Sequence, residues 1–166
     1  MVAFVVDGKV LIDLSERTLS YVEGGDEVIA TPVGVGSGAN PTPTGTFYVT
    51  DSVALADPDS PWGPHALGLS ARSDTVTEYN GGDGIIGIHG TNNPLSIGRA
   101  VSLGCVRVAN DECLLESRVQ RQQEIGPEAA RFRNRHEVVL EPRSSIEIRD
   151  RHRLPGVGEQ HWRCRG

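Results

Sequence analysis

Short β-prone runs separated by tight-turn residues fill the first fifty positions of this chain. Asp7-Gly8 and Gly24-Gly25 each divide two runs rich in Val, Ile, Thr or Tyr, at 3–6 and 9–14 and at 18–23 and 27–31. Asp-Gly and Gly-Gly between apolar runs are typical of β-hairpins. The sequence therefore predicts two consecutive hairpins at the start of a mainly β fold.

The composition agrees with many short elements joined by turns. Among the 166 residues are 20 glycines and 10 prolines, whereas aromatic residues make up 5%. This balance disfavours a helical bundle. A chain of this length with 37% hydrophobic residues can bury one core. We therefore expect one domain followed by an appendage.

Charge is divided unevenly along the chain. Residues 1–116 carry 5 Lys and Arg against 15 Asp and Glu, whereas residues 117–166 carry 11 against 7, and the formal net charge is −6. An Arg-rich segment can bind an anionic polymer, but a solvated or self-paired face is the better explanation. We therefore expect no nucleic-acid partner.

The chain has three cysteines, Cys105, Cys113 and Cys164. An odd number without repeated spacing does not indicate a disulfide framework, so at least one thiol is expected to be free. No stretch is long enough to span a membrane, and the apolar run 2–6 is too short for a signal peptide. We expect either a protein that works inside the cell or a chain whose export signal lies outside this sequence.

The glycine-rich stretch 34–39 matches the dinucleotide fingerprint G-x-G-x-x-A. That motif needs a helix that begins at the glycines, so that its N-terminus faces the pyrophosphate. Here Pro41 and Pro43 follow at once and oppose a helix. The stretch is therefore interpreted as a loop and a Pro-Thr-Gly turn leading into a strand at 46–50.

Residues 51–84 are rich in turn residues and are expected to form a long excursion with one short strand at 65–70. A loop of this length is often the wall or lid of a binding site, although it can also be a plain surface connection.

Strands are predicted at 85–89, which ends in His89, and at 102–108, with a short helix from Asn93-Pro94 to about 100 between them. Further along, we expect a helix from 110 or 111 to about 123, closing strands at 137–141 and 145–149, and disorder beyond 150.

Cys105 and His89 are the candidate reactive pair, and each lies beside a glycine where a strand meets a turn. A thiol becomes a strong nucleophile as a thiolate, and a neighbouring imidazole can take its proton. Backbone N–H groups next to Gly104 can hold the oxyanion that develops after attack. The two residues need only be close in space.

Other chemistries fit these residues less well. A nucleophilic Ser102 in the elbow G-x-S-x-G would need glycine where Ala100 stands. His89 and Cys105 would be only two metal ligands, and no residue nearby has the spacing of a zinc site. A solvated tail is the better explanation for the irregularly spaced His152, His161 and Cys164. We therefore expect no metal and no cofactor.

Several spaced motifs together resemble the L,D-transpeptidase catalytic domain, the YkuD-like family. They are His-Gly-Thr at 89–91, Pro-Leu-Ser-Ile-Gly at 94–98, Ser-Leu-Gly-Cys-Val-Arg at 102–107, Asn110, and upstream Thr-Pro-Thr-Gly-Thr-Phe at 42–47. The resemblance covers about 2–116. It implies a sandwich-like β fold with one or two short helices in a catalytic domain at 1–116, followed by an Arg-rich C-terminal segment at 117–166.

The resemblance implies an acyltransferase that cross-links peptidoglycan in the bacterial cell envelope, and thus a role in cell wall biogenesis and cell shape. Cys105 would attack the third residue of a tetrapeptide stem and release D-Ala, and a second stem would resolve the thioester to a 3–3 cross-link. His89 would be the general base. The N–H groups of Gly104, Cys105 and Leu103 would form the oxyanion hole, and a carbapenem would form an adduct with Cys105.

The resemblance also implies supporting or substrate-binding roles for five further residues, namely Gly90, Thr91, Ser102, Arg107 and Asn110, with the Gly90 carbonyl orienting the imidazole. Many family members have His where this chain has Leu103, which removes any help from a second imidazole. Three alternatives stay open: an L,D-carboxypeptidase in which water resolves the thioester, an inactive module that binds glycan or peptide, and an effector delivered into the envelope of a rival bacterium.

Overall fold

The computed structural model describes residues 8–57, 59–78, 82–111, 119 and 144–151. Within these residues the regular structure is ten strands, a single 3-10 turn at Pro94–Ser96 and the helical residue Val119. The strands are β1 (Gly8–Asp13), β2 (Thr18–Glu23), β3 (Asp26–Pro32), β4 (Val35–Gly36), β5 (Gly45–Ala54), β6 (His65–Arg72), β7 (Ile85–His89), β8 (Ala100–Ser102), β9 (Val106–Arg107) and β10 (Ser144–Arg149). The predicted mainly β fold is confirmed.

Eight of the strands form one curled sheet in the order β3-β2-β1-β10-β5-β6-β7-β9, and β4 and β8 form a separate parallel pair. The pairs β1–β10 and β7–β9 are parallel, and the other neighbours in the large sheet are antiparallel. Because β7 ends in His89 and β9 follows Cys105, this topology brings the two candidate residues to one end of the sheet.

The two predicted hairpins have different outcomes. The second is confirmed, since β2 and β3 pair antiparallel around Gly24 and Gly25, whose φ angles are 63° and 95°. The first is wrong at Gly8, which is the first residue of β1 rather than part of a turn. β1 has β2 on one edge and β10 on the other along all six residues, and the segment 3–6 lies outside the described residues.

β10 lies in the middle of the sheet, between β1 and β5, which confirms the closing strand predicted at 145–149. Its Ile146 and Ile148 are 0% and 2% exposed and pack with Val10 and Ile12 of β1 in one core. Successive strand residues face opposite sides of a sheet, so these alternate residues share the buried face. The buried Val119 joins the same core.

Two predicted elements differ in extent. β5 continues to Ala54 and pairs with β6, so the beginning of the excursion predicted at 51–84 is strand. The helix predicted to reach about 100 is a single turn, because Ile97 is extended with ψ at 136° and Gly98 has φ of 76°. Asn93 makes no side-chain capping bond there.

The glycine-rich stretch has no helix at its glycines, as the sequence predicts, but Val35–Gly36 within it is the short strand β4 rather than loop. Of the helix predicted from 110 or 111 to about 123, residues 110 and 111 form a turn and Val119 is helical, and the other residues lie outside the described part of the chain. The strand predicted at 137–141 and the segment beyond 151 also lie outside it. No helix in the described part of the chain is long and apolar enough to cross a membrane.

Candidate functional site

Cys105 lies in a turn between two short strands, where the sequence predicts one continuous strand. β8 ends at Ser102 and β9 begins at Val106. Gly104 permits the turn because its φ is +121°, a conformation that L side chains rarely adopt. A Cβ atom at Gly104 would also lie 2.8 Å from Ile86 Cδ1. The backbone conformation of Gly104 thus accounts for the break between β8 and β9.

The buried Ser102 hydroxyl closes this turn from within. Its Oγ donates to the Cys105 carbonyl at 2.6 Å and accepts the Gly104 N–H at 3.1 Å. The Gly104 N–H, for which the family resemblance implies a role in the oxyanion hole, is therefore directed at Ser102.

A second buried hydroxyl, that of Thr42, holds the turn from a distant part of the chain. Thr42 Oγ1 donates to the Gly104 carbonyl at 2.7 Å and accepts the Gly36 N–H at 2.8 Å. The side chain is 4% exposed. The glycine-rich stretch thus meets the Cys105 turn through Thr42.

The strand register makes His89 and Cys105 neighbours. β7 and β9 pair in parallel with Ile88 opposite Val106 and His89 opposite Arg107. The position opposite Cys105 is then Gly87, whose N–H donates to Cys105 Sγ at 3.4 Å. Residues two apart on a strand face the same side. The His89 ring and the Cys105 thiol therefore lie diagonally adjacent on one face.

A hydrogen bond to Gly90 fixes the His89 ring. Nδ1 lies 2.6 Å from the Gly90 carbonyl oxygen, so the carbonyl contact expected from the sequence is present. A carbonyl only accepts hydrogen bonds, which places the proton of the neutral imidazole on Nδ1 and leaves Nε2 as a proton acceptor.

Asn110 holds the same peptide unit from its other side. Its Oδ1 accepts the Thr91 N–H at 2.7 Å. Gly63 and Gly90 both approach this oxygen so closely that a Cβ atom on either would collide with it. Asn110 therefore joins the segment after His89 to the loop before β6.

Burial sets the protonation of the pair. It lowers the pKa of His89 from 6.5 to about 4, while the Gly90 hydrogen bond opposes the shift and the Arg107 charge adds to it. Burial raises the pKa of Cys105, more than the Gly87 N–H and the Arg107 charge lower it. At neutral pH the resting pair is a thiol and an uncharged imidazole.

A cavity of about 430 Å³ brings these groups together. His89, Ser102, Leu103, Cys105 and Arg107 all line it, and its wall also includes Val53, Trp62, Ile85 and Ile86. The Nε atom of Arg107 is buried and has no hydrogen-bond partner among the described residues. The cavity thus combines a thiol, a base, a cation, the carboxylates of Asp51 and Asp83, and apolar walls.

The candidate site residues predicted from the sequence fall into two groups. On the cavity wall are His89, Leu103, Cys105, Arg107 and Ser102. Gly90 bonds to the His89 ring, and Asn110 bonds to Thr91 in the same peptide unit. Thr42 and Gly87 contact the site without having been singled out. Their contacts join residues 62 and 18 positions apart, so no local pattern predicts these contacts. The one available signal was the motif at 42–47, which includes Thr42.

The comparison with known families agrees with this geometry. The family model of the L,D-transpeptidase catalytic domain, YkuD, matches residues 7–114. The chain therefore belongs to the L,D-transpeptidase catalytic domain family.

The chain is similar to YkuD proteins of two Bacillus species. It is 32% identical to YkuD of Bacillus subtilis (strain 168) over 111 residues, covering 67% of this chain and 59% of that protein. It is 36% identical to YkuD of Bacillus licheniformis over 106 residues, covering 64% and 56%. The chain thus spans less than three fifths of the length of either relative.

A solved structure gives the same fold. The L,D-transpeptidase structure from Mycobacterium tuberculosis H37Rv matches with a TM-score of 0.54 and 14% identity, over 87% of this chain and 58% of that chain.

Proposed function

We propose that this chain is a cysteine acyltransferase of the L,D-transpeptidase type, acting on peptidoglycan stem peptides in the bacterial cell envelope. The observation that carries the proposal is the single cavity lined by His89, Cys105 and Arg107, with the imidazole oriented by Gly90. Membership of the family supports the same reaction class.

In the first half-reaction, Cys105 Sγ attacks the carbonyl carbon of the third stem residue. Because the resting pair is neutral, the thiol proton passes to His89 Nε2 as the S–C bond forms. The carbonyl electron pair becomes an oxyanion. When it collapses, the C–N bond to D-Ala breaks, the leaving nitrogen takes the proton from His89, and a thioester remains.

In the second half-reaction, the side-chain amine of another stem attacks the thioester carbon. His89 takes a proton from the attacking nitrogen, the C–S bond breaks, and the sulfur leaves and is reprotonated by His89. The product is a 3–3 cross-link. Water in place of the amine would give a shortened stem, which is the carboxypeptidase reaction.

The oxyanion hole is proposed to use the N–H groups of Cys105 and Leu103 first. The Gly104 N–H donates to Ser102 in the resting structure, so it would join only after exchanging that partner. Such donors act strongly because they are already oriented in a site that excludes water.

Arg107 is proposed to bind a carboxylate of the stem. Its Nε is buried and lacks a partner among the described residues, and a buried polar group is costly without a hydrogen bond. A guanidinium and a carboxylate form strong, charge-assisted hydrogen bonds. Thr91, Asn110 and Ser102 support the reacting residues through the backbone contacts described above.

Intact mass after exposure to a carbapenem tests the nucleophile. The parent chain is expected to gain one carbapenem mass and Cys105→Ala none, while Cys113→Ala and Cys164→Ala behave as the parent. No adduct on the parent would overturn the acyltransferase. An adduct on Cys105→Ala would mean that another thiol reacts.

Incubation with tetrapeptide stems identifies the acceptor. Transpeptidation yields cross-linked dimers, whereas a carboxypeptidase yields tripeptides and free D-Ala. Dimers are expected from the parent chain. Tripeptides alone would replace the proposed acceptor with water, and neither product, despite tight stem binding, would indicate an inactive binding module.

A further inference from the structure

The hydroxyl of Thr42 lies behind the Cys105 turn, away from the cavity. Cys105 and Leu103 are on the cavity wall, and Thr42 and Gly104 are not. Thr42 Oγ1 donates to the Gly104 carbonyl at 2.7 Å. This bond therefore determines the direction of one peptide unit in the turn.

That peptide unit also contains the Cys105 N–H. A trans peptide is planar and its C=O and N–H point in opposite directions, and the described backbone contains no cis peptide bond. Since the Gly104 carbonyl faces Thr42 on the buried side, the Cys105 N–H must face the other side, where the cavity lies.

We propose that Thr42 is a positioning residue of the acyl-transfer site, which directs the Cys105 N–H into the cavity by holding the Gly104 carbonyl. The proposal rests on the proposed function, in which an oxyanion forms at that N–H. Thr42 touches no reacting atom, so its effect is confined to the orientation of the donor.

The glycine-rich stretch provides the fixed point for this bond. Thr42 Oγ1 also accepts the Gly36 N–H, and a Cβ atom at Gly36 would collide with the backbone of Asn40 and Thr42. Gly36 itself is paired with Ser102 at the start of the Cys105 turn. Thr42 is thus held against the same short strand pair that leads into the turn.

The Thr42 hydroxyl has two hydrogen bonds, and this predicts a specific defect when it is lost. Thr42→Val keeps the shape of the side chain but frees the Gly104 carbonyl, so the peptide can rotate. Loss of a whole oxyanion donor costs about 100- to 1000-fold in rate. A misdirected donor is expected to cost part of that, about 10- to 100-fold.

Two reactions of Cys105 distinguish a defect in the oxyanion donor from a defect in the nucleophile. Acylation by a carbapenem forms an oxyanion, whereas alkylation by iodoacetamide does not. In Thr42→Val, carbapenem acylation is expected to slow about 10- to 100-fold while the alkylation rate stays within about twofold. Thr42→Ser should restore most of the acylation rate. Thr31→Val, which removes another buried hydroxyl, is the matched control and should leave both rates unchanged.

An acylation rate equal to that of the parent in Thr42→Val would overturn the proposal. So would a parallel loss of both rates, because Thr42 would then hold the whole turn rather than one donor. Melting temperatures of the variants exclude unfolding as the cause.

If the parent chain is not acylated, the acyltransferase itself fails, and a second measurement still decides the role of Thr42. The carbonyl ¹³C shift of Gly104 and the exchange rate of the Cys105 amide proton report on the peptide directly. Both should change in Thr42→Val and not in Thr31→Val. Unchanged signals would show that Thr42 does not fix this peptide.

Discussion

Asn110 Oδ1 accepts the Thr91 N–H at 2.7 Å, on the same peptide unit whose carbonyl, that of Gly90, faces the His89 ring at 2.6 Å. Because a trans peptide directs its N–H and C=O oppositely, Asn110 holds the Gly90 carbonyl towards His89. Hydrogen bonds in such a chain polarise one another. Asn110 therefore acts on the imidazole through one peptide, without contact with the ring.

Removal of this acceptor should impair the base. Asn110→Ala is expected to lower the rate of carbapenem acylation about 10-fold, which corresponds to about 1.4 kcal/mol, since the Gly90 carbonyl loses its fixed direction. Asn110→Asp keeps an acceptor and adds a negative charge, which favours the imidazolium. The acid limb of the pH–rate profile, where the acylation rate falls as His89 is protonated, should therefore lie at higher pH in Asn110→Asp than in the parent.

The acid limb distinguishes this role from simple structural support. Asn92→Ala is the matched control, since its exposed side-chain amide donates to the Asp59 carbonyl rather than to the peptide beside His89, and it should leave the acylation rate and its acid limb unchanged. An acid limb in Asn110→Asp at the same pH as in the parent would contradict the coupling through the peptide.

The local parts of this site were predictable from sequence, and the long-range parts were not. The strand ending in His89 and the hairpin around Gly24-Gly25 have local signatures, namely an apolar run and a turn pair. The helix predicted to begin at Asn93-Pro94 is shorter than expected, a single turn, because Gly98 ends it. β10 lies between β1 and β5, more than a hundred residues away in sequence from β1, and such parallel pairing leaves no local pattern. Thr42 lies in the motif at 42–47, but its hydrogen bond to Gly104, 62 positions away, has no local signature.

Protonation of His89 should destabilise the fold in acid. With a pKa of about 4 in the folded chain against 6.5 unfolded, the unfolded state binds more protons between these values. The stabilising contribution is full above pH 6.5 and is lost as the pH falls towards and through 4, which amounts to about 3 kcal/mol.

The free energy of unfolding, measured by urea titration at pH 7 and pH 4, tests this contribution. His89→Gln cannot be protonated, so it should lose about 3 kcal/mol less than the parent over this interval. Equal losses in both proteins would mean that the His89 pKa is not lowered in the folded state.

Because β10 is central in the sheet, truncating its buried side chains is expected to lower the free energy of unfolding substantially. Ile146 is 0% exposed in the core beside β1, so Ile146→Ala should lower the free energy of unfolding by about 2–5 kcal/mol. The adjacent Glu147 faces solvent and pairs with Lys9. Glu147→Ala should cost about 1 kcal/mol or less. Similar values for the two variants in urea titrations would place β10 outside the core.

The pH dependence of Cys105 alkylation should reveal an uncharged resting pair. Burial raises the pKa of the Cys105 thiol, so the thiolate fraction is small at neutral pH. The rate of iodoacetamide alkylation, followed at the Cys105 peptide by mass spectrometry, is expected to rise continuously through pH 9 without a plateau at lower pH.

His89→Ala separates this state from a preformed thiolate–imidazolium pair. In such a pair the imidazolium lowers the thiol pKa, alkylation is fast and independent of pH over several units, and removing the imidazole slows it greatly. Here the imidazole is neutral above about pH 4, so His89→Ala should not slow alkylation at pH 7. Carbapenem acylation in the same variant should fall at least about 100-fold, because a general base contributes about that much or more. A plateau in the alkylation rate near pH 6 that disappears in His89→Ala would instead establish the ion pair as the resting state.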